Sequence, residues 1–417
     1  MPQPKAPQRQ IPDPPKEQMT SKAVGIHRAL ELHRAGRLAE AEAIYLRLLQ
    51  ERQNDADALH FLGLLRVHQG RRPAAIEMMQ RSLKIRSNNP HAWNNLGNVL
   101  LAENDQEGAE VAYMHATQLS PKMAEAWFNL GILFRRKRQP DEALKSFRRV
   151  LDSNPRFSGA YESLGMLLYR MGRSDHAADV YRKWLEVEPT NPVARHMAAA
   201  TSGQSVPDRA GDRYVKKIFD GFAESFDLAL KGLGYAAPEL LSAALAERID
   251  FGHQRLDVLD AGCGTGLCGL LLRSTAKTLV GVDLSHGMLA KARERKIYDE
   301  VVQGELCAFM RSRQASFDVV NCADTLVYFG PLEEAAAAAR DCLRPRGVFG
   351  FTVEAEPQES DQPYRIHAHG RYSHGSGYVV GVMQEAGFVG IERESVVLRK
   401  ERGEDVRGHL VIGEAPA

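Results

Sequence analysis

The sequence predicts two domains, an all-α solenoid of stacked helix pairs followed by an α/β domain built on a mostly parallel sheet. Three observations predict it. One set of positions recurs every 34 residues through the first half of the chain. Leu256 to Gly269 reads LDVLDAGCGTGLCG, an apolar run that ends in an acid and breaks into closely spaced glycines. Beyond it, strand-like runs alternate with helical stretches until two long runs flank KERGED at the end.

Composition narrows the classes of function. A chain of 417 residues has room for two or three domains, each with its own core. Its 54 Lys and Arg against 53 Asp and Glu leave a net charge of +1. That balance gives no basic footprint for nucleic acid or a membrane surface, and the short run Arg135 to Arg138 reads as a solvated helix end. The five cysteines, Cys263, Cys268, Cys307, Cys322 and Cys342, have neither C-x-x-C spacing nor a matching His pair, so no metal site or disulfide is predicted. They read as small buried apolar residues in a reducing compartment. No apolar run is long enough to span a membrane, and the start MPQPKAPQRQIPDPPKEQMT lacks an apolar signal core. Residues 1–21 are predicted to be a disordered tail and the protein to be cytoplasmic.

The period of 34 is legible residue by residue. Leu-Gly pairs stand at Leu62-Gly63, Leu96-Gly97, Leu130-Gly131 and Leu164-Gly165. Twelve residues after each Gly comes Ala75, Ala109, Ala143 or Ala177, and four further on Met79, Tyr113, Phe147 or Tyr181. Leu59, Trp93, Trp127 and Tyr161 precede each Gly by four, one turn back on the same helix face. Small residues let two antiparallel helices approach, and large ones fill the groove between them. Pro121, Pro155 and Pro189 close their repeats. This pattern resembles the tetratricopeptide repeat. Five repeats, the first degenerate with Ala29 in place of Gly, and a capping helix near Pro192 to Ala200 are predicted over 22–200. Such a stack leaves a concave face, which implies a protein or peptide partner. His60, Leu64, His91, Asn94, Asn98, Leu101, Phe128, Ile132 and Arg135 are placed on it, and of these Asn94, Asn98, Phe128 and Arg135 are the candidate partner contacts. The competing reading is that they are solvated helix positions.

Residues 201–212, TSGQSVPDRAGD, read as an exposed linker to a domain over 213–417. There, strands are predicted near Leu256, Leu279, Glu300, Phe317 and Val348. Val389 to Arg399 and Val406 to Gly413 should pair antiparallel at the sheet edge.

The glycine loop fits two nucleotide ligands by spacing alone. Gly264, Gly266 and Gly269 satisfy G-x-G-x-x-G, and Asp283 follows at the distance expected of an acid that bonds ribose hydroxyls. A third possibility is that the glycines serve only a tight strand-to-helix connection. Charge separates the two ligands, because Asp260 at the mouth of the loop would repel a pyrophosphate and attract a cation. With LDAGCGTG and GVDLS, residues from about Arg213 to Gly413 resemble the class I methyltransferases that use S-adenosylmethionine. The resemblance implies a Rossmann-like domain with a seven-stranded, mostly parallel sheet and S-adenosylmethionine as cofactor.

It also implies roles for individual positions. Asp260, Gly262, Gly264 and Gly266 form the first motif, and Asp283 holds the ribose diol. Leu284 and Met288 pack on the adenine or, alternatively, in the core. Glu305 and Leu306 meet the adenine edge, Asn321 and Asp324 the methionine part, and Tyr328 faces the acceptor. Tyr214 and Phe222, on a helix ahead of the first strand, either close over the cofactor or simply pack. Methyl transfer from a sulfonium needs placement and water exclusion more than a dedicated base. Tyr328, Arg371 and His374 are the candidate acceptor-side residues, within or near HAHGRYSHGSGY, a segment that also reads as a polar loop bonded only to itself. GRYSHGSGYV and ADTLVYFG resemble bacterial methyltransferases that carry the same repeats, although Pro331 stands where an acid is expected. The expected function is methyl transfer to an unidentified acceptor, with the repeats recruiting a protein. An interaction protein with a structural or cofactor-sensing domain is the alternative, and a nicotinamide oxidoreductase is disfavoured by Asp260.

Overall fold

The computed structural model describes residues 21–249, 255–357, 362–401 and 403–417. The predicted tail lies almost wholly outside them. The chain divides into two compact units, with the cut after Gly172.

The first unit is a run of helices, Ser21–Arg34, Leu38–Glu51, Ala56–His68, Arg72–Ile85, Pro90–Ala102, Gln106–Leu119, Ala124–Arg136, Pro140–Ser153 and Ser158–Arg170. Local chemistry sets their starts. Asp55, Asn89 and Asp105 each accept a hydrogen bond from backbone N–H groups of the first turn, and Pro90 and Pro140 open helices where no donor is needed. Packing then joins successive helices. Ala75, Ala109 and Ala143 are fully buried, and Met79, Tyr113 and Phe147 fill the grooves beside them. The glycines of the repeat are steric requirements. A Cβ on Gly97 would lie 2.6 Å from the Tyr113 ring, and one on Gly131 would lie 2.6 Å from the Phe147 ring.

The second unit opens with helices Ser174–Val187 and Pro192–Ser202, the latter capped by Asn191. Residues 203–206 are exposed and without regular structure. Residues 207–210, read from sequence as part of an exposed linker, are instead tied down. The Tyr372 hydroxyl donates to the Pro207 carbonyl, the Gly330 N–H to Asp208 and the Ala210 N–H to Tyr328. Helices Asp212–Phe222, Phe226–Gly232 and Ala237–Arg248 lead into the sheet.

Among the described residues nine strands form that sheet, β1 (Leu256–Ala261), β2 (Ala276–Asp283), β3 (Glu300–Gln303), β4 (Phe317–Cys322), β5 (Leu343–Ala355), β6 (Tyr364–Ile366), β7 (Tyr372–His374), β8 (Val389–Glu401) and β9 (Glu404–Glu414). The parallel order β3-β2-β1-β4-β5 is closed by β9, antiparallel to β5, and by β8, antiparallel to β9. These seven strands match the predicted sheet, and the count of seven is corrected by β6 and β7. That short hairpin extends from the end of β5, where Glu354 and Ala355 pair with Ser373 and His374. The segment reads as a polar loop because His, Arg, Ser and Gly dominate it, yet Tyr372, Ser373 and His374 are buried.

Register places the chemistry. Asp260 pairs with Gly281 on one side and Asn321 on the other, so the carboxyl ends of β1, β2 and β4 are level. Ligands in sheets of this kind sit outside those ends. Apolar side chains pack on both faces, Val320, Phe349 and Met383 among one set and Leu241, Val258 and Leu279 among the other. No helix among the described residues is long and apolar enough to cross a membrane.

Candidate functional site

After Asp260 and Ala261 the backbone turns through Gly262, Gly264 and Gly266, with φ of 77°, 54° and 93°, a region that disfavours any side chain. The turn folds the loop over the end of β2, where Gly262 and Cys263 donate to the Val282 carbonyl at 2.8 and 3.0 Å. At the tip of β2, Asp283 is half-buried. Its Oδ2 accepts from the Gly264 N–H at 3.0 Å and its Oδ1 from the Ser285 N–H at 2.8 Å. A carboxylate has lone pairs for more than these two bonds, so Asp283 retains capacity for ligand hydroxyls. A Cβ built on Gly264 would meet only the edge of Phe226, at 4.0 Å, which leaves the outer face of the loop uncrowded. Burial raises the Asp283 pKa above the usual carboxylate value, and the Ser285, Gly264 and Leu284 backbone N–H groups oppose the rise.

Asp260 differs from its sequence-based placement. It stands behind the loop rather than at its mouth, with 1% of its surface exposed. Oδ1 accepts from Asn321 Nδ2 at 2.9 Å and Oδ2 from the Tyr298 hydroxyl at 2.6 Å. Burial pushes its pKa up to about 6, against the pull of the Tyr298 and Asn321 hydrogen bonds. Its carboxylate is thus spent on Tyr298 and Asn321. Asn321 is turned to Asp260 and is itself buried.

The helices ahead of the sheet are fastened to this loop by two acids. Asp220 accepts from the Ser285 hydroxyl at 2.6 Å and the Gly287 N–H at 2.9 Å, at the start of helix His286–Glu294. Asp227 accepts from the Thr265 hydroxyl and pairs with Arg295, whose Nε donates to the Thr265 carbonyl. Between these anchors Phe222 and Ala223 pack on Met288, which is buried, with Phe219 and Phe226 at the margin. Met288 thus belongs to a small core under the helix. Tyr214 stacks on His196 at 4.0 Å between ring centroids and points its hydroxyl toward Met197.

Leu284 is half-buried and its carbonyl accepts from Gln303 Nε2 at 3.0 Å. Glu305 caps its own helix, accepting from the Ala308 N–H at 2.8 Å, with Leu306 buried beside it. Asp324 has a left-handed backbone, φ 51°, and its carboxylate pairs with Arg399 at 3.0 Å.

Around Asp324 lies a buried charge cluster that no local sequence signal foretold. Arg399 also contacts Glu354 and Glu401, and Arg371 pairs with the same two glutamates. Burial alone would raise the Glu354 pKa, but Arg371 and Arg399 outweigh it and hold the carboxyl at about 2. His369 is driven down to about 3 by burial and by Arg371. Tyr328 meets Phe219 edge-on at 5.5 Å, and burial pushes its phenol up to about 12, so it is a hydrogen-bond donor at neutral pH. His374 is fully buried with Nε2 3.0 Å from the Gly330 carbonyl, and burial pushes it down to about 4. That contact ties it to the backbone two residues beyond Tyr328.

In the first unit, Phe128 is buried between Phe147 and Phe157 rather than displayed on an inner surface. Asn94 is buried and accepts from Asn129 Nδ2 at 2.9 Å. Asn98 accepts from the Tyr113 hydroxyl at 2.8 Å. Arg135 is half-buried, and burial with Arg170 and Arg136 nearby lowers its basicity.

Sequence reasoning missed Asp220, Asp227, Arg295, Tyr298, Glu354 and Arg399. Their partners lie tens of residues away, so no motif or periodicity links them. All five cysteines are buried free thiols. No group of metal-ligating side chains is present among the described residues.

Comparison with known proteins agrees with both halves. Residues 259–351 match the family described as methyltransferase domain, and residues 27–90, 62–124 and 128–192 match tetratricopeptide repeat. The chain is 36% identical over 98 residues to a malonyl-[acyl-carrier protein] O-methyltransferase of Enterobacter lignolyticus, covering 24% of this chain and 39% of that protein. It is 28% identical over 163 residues to the enzyme of that name from Geobacter sulfurreducens, covering 38% and 60%. The chain thus spans less than two thirds of each of these relatives. Among solved structures it is similar to MamA, with 22% identity, a TM-score of 0.37 and coverage of 42% of this chain and 97% of that one.

Proposed function

We propose, for a chain that joins tetratricopeptide repeats to a methyltransferase domain, that it transfers a methyl group from S-adenosylmethionine to an acceptor brought by a protein bound to the repeats. The observation that carries the cofactor half is Asp283, held by the Gly264 and Ser285 N–H groups beside an uncrowded glycine loop. A diol can take its remaining lone pairs in two charge-assisted bonds. Asp260, behind the loop, favours a cationic ligand over a pyrophosphate.

The bound cofactor would supply an electrophilic methyl on a sulfonium. The chain's own residues contribute placement and dryness. Phe219, Phe222 and Phe226, fastened by Asp220 and Asp227, cover the loop side of the site and exclude water. Gly262, Gly264 and Gly266 present backbone to the ligand, with Leu284, Glu305 and Leu306 about the adenine. Asn321 and Asp324 bound the methionine end through Asp260 and Arg399. Tyr328 is the donor nearest the acceptor side, and Arg371 is committed to Glu354 and Glu401. His374 positions the Tyr328 wall.

The named relatives are malonyl-[acyl-carrier protein] O-methyltransferases, and an acceptor delivered on a protein fits a chain with a protein-binding array. Asn98 and Arg135 are the contacts assigned to that array's partner, with Asn94 and Phe128 shaping the helices behind them. A cytoplasmic location agrees with five unpaired thiols.

Incubation with methyl-labelled S-adenosylmethionine and fractionated lysate tests the reading. Label moving into a protein or a protein-borne group is the expected result. Cofactor binding without transfer to any fraction would instead favour a sensing domain on an interaction scaffold, and the absence of binding would overturn the cofactor assignment.

A further inference from the structure

Tyr298 lies between helix His286–Glu294 and β3, outside every motif of the sequence. Its ring enters a slot walled by three glycines from three elements. A Cβ on Gly266 or Gly281 would approach the ring to 3.0 Å, and one on Gly269 would collide with the hydroxyl. Gly266 belongs to the loop, Gly269 to helix Leu267–Leu272 and Gly281 to β2. Two glycines that spacing attributes to a nucleotide are thereby required by a side chain of the protein itself. The hydroxyl at the end of the ring is 2.6 Å from Asp260 Oδ2.

We propose that Tyr298 is a positioning residue of the cofactor site, holding Asp260 ionised and in place behind the glycine loop so that its charge favours a cationic ligand. This rests on the assignment of S-adenosylmethionine above. The phenol of Tyr298 is raised far beyond its ordinary value by burial and by Asp260, so it remains the donor and Asp260 the acceptor at every working pH. The charged or ionisable groups facing Asp260 are Asp283 from β2, Tyr298, Cys263, Cys268 and Cys322. With the thiols neutral, hydrogen bonds from Tyr298 and Asn321, joined by the Gly269 backbone N–H, favour the charged carboxylate in a buried setting where a second acid, Asp283, opposes it.

The test is Tyr298→Phe, which keeps the ring in its slot and removes one oxygen. Calorimetric titration of the full-length protein with S-adenosylmethionine and with S-adenosylhomocysteine, across pH 5 to 9, reads both charge and shape. In the wild type, affinity for S-adenosylmethionine should fall as pH drops through about 6. In Tyr298→Phe the midpoint should rise by about one unit, since a hydrogen bond to a carboxylate favours its charged form by roughly that much. At pH 7 the variant should lose affinity for the sulfonium ligand by about twofold, growing to about tenfold near pH 5, and for the neutral thioether by less, because only the former feels the missing charge. An unchanged midpoint, or equal losses for both ligands, would overturn the proposal while leaving the cofactor assignment intact. Failure of the wild type to bind either ligand would overturn both. Should Tyr298→Phe fail to fold, Asp260→Asn provides the second reading. The proposal expects it to abolish the pH midpoint and the preference between the two ligands, and their persistence would overturn it.

Discussion

The carboxylate of Asp220 lies 2.6 Å from the Ser285 hydroxyl and 2.9 Å from the Gly287 N–H, so helix Asp212–Phe222 also caps the helix that follows β2. On the proposed reading, in which this helix covers the cofactor, that contact couples ligand binding to closure. Asp220→Ala should leave the sheet intact, weaken S-adenosylmethionine binding by about fivefold and speed amide exchange across residues 212–232, since one partly exposed charge-assisted contact is worth about 1 kcal/mol. Hydrogen exchange with and without ligand checks this, and identical protection in variant and wild type would contradict it.

Asp283 makes a sharper test of the ligand. Asp283→Ala removes both prospective ribose bonds and the acceptor of the Gly264 and Ser285 N–H groups. Affinity for S-adenosylmethionine should fall by about 100-fold or more, two charge-assisted bonds being lost together. Calorimetry showing a loss under about threefold would remove the ribose role from Asp283.

Arg399 is a buried cation with three carboxylate partners. It meets Asp324, Glu354 and Glu401, and only 3% of its surface is exposed. Arg399→Leu takes the cation from Asp324 and leaves Glu354 and Glu401 to Arg371 alone, and it should cost about 3–5 kcal/mol, the usual penalty for breaking a buried pair. The pH dependence follows from Glu354. Its folded value, about 2, lies below that of the unfolded chain, so its stabilisation is complete above about pH 4.3 and is lost as pH falls through about 2. Arg399→Leu should therefore shift acid unfolding to higher pH, which circular dichroism would register.

In the repeats, Gly131→Ala puts a methyl against the Phe147 ring and should lower stability by about 1–3 kcal/mol, as overpacking does. Adding Phe147→Leu should recover part of the loss. Additive losses in thermal melts would mean that the two positions do not share a contact.

The two kinds of fold were legible because each rests on a local period. The Gly131 and Phe147 pair recurs with the repeat, and the alternation around β1 to β5 marks a parallel sheet. Asp283 and the loop glycines were legible for the same reason, lying in one contiguous motif with a partner at fixed spacing. Tyr298 and Arg399 were not. Each acts on a residue that only the tertiary fold brings close, Asp260 for one and Asp324 and Glu354 for the other. The hairpin of β6 and β7 was hidden differently, because its polar residues are paired with buried charges and so resemble an exposed loop in composition. Phe128 was misplaced because helical spacing gives a face but does not say how far the next helix covers it.

The ties made by residues 196–210 bear on where this protein can be cut. His196 bonds the Gly370 carbonyl, Pro207 receives the Tyr372 hydroxyl, and Arg209 pairs with Phe329 across an antiparallel bridge. A fragment begun at Arg213 would leave each of those groups exposed and short of its partner, whereas one begun at Arg173 would keep them. The smallest autonomous catalytic piece should accordingly include two helices that repeat counting alone would assign to the array, and chimeras that exchange the array should be spliced near Gly172.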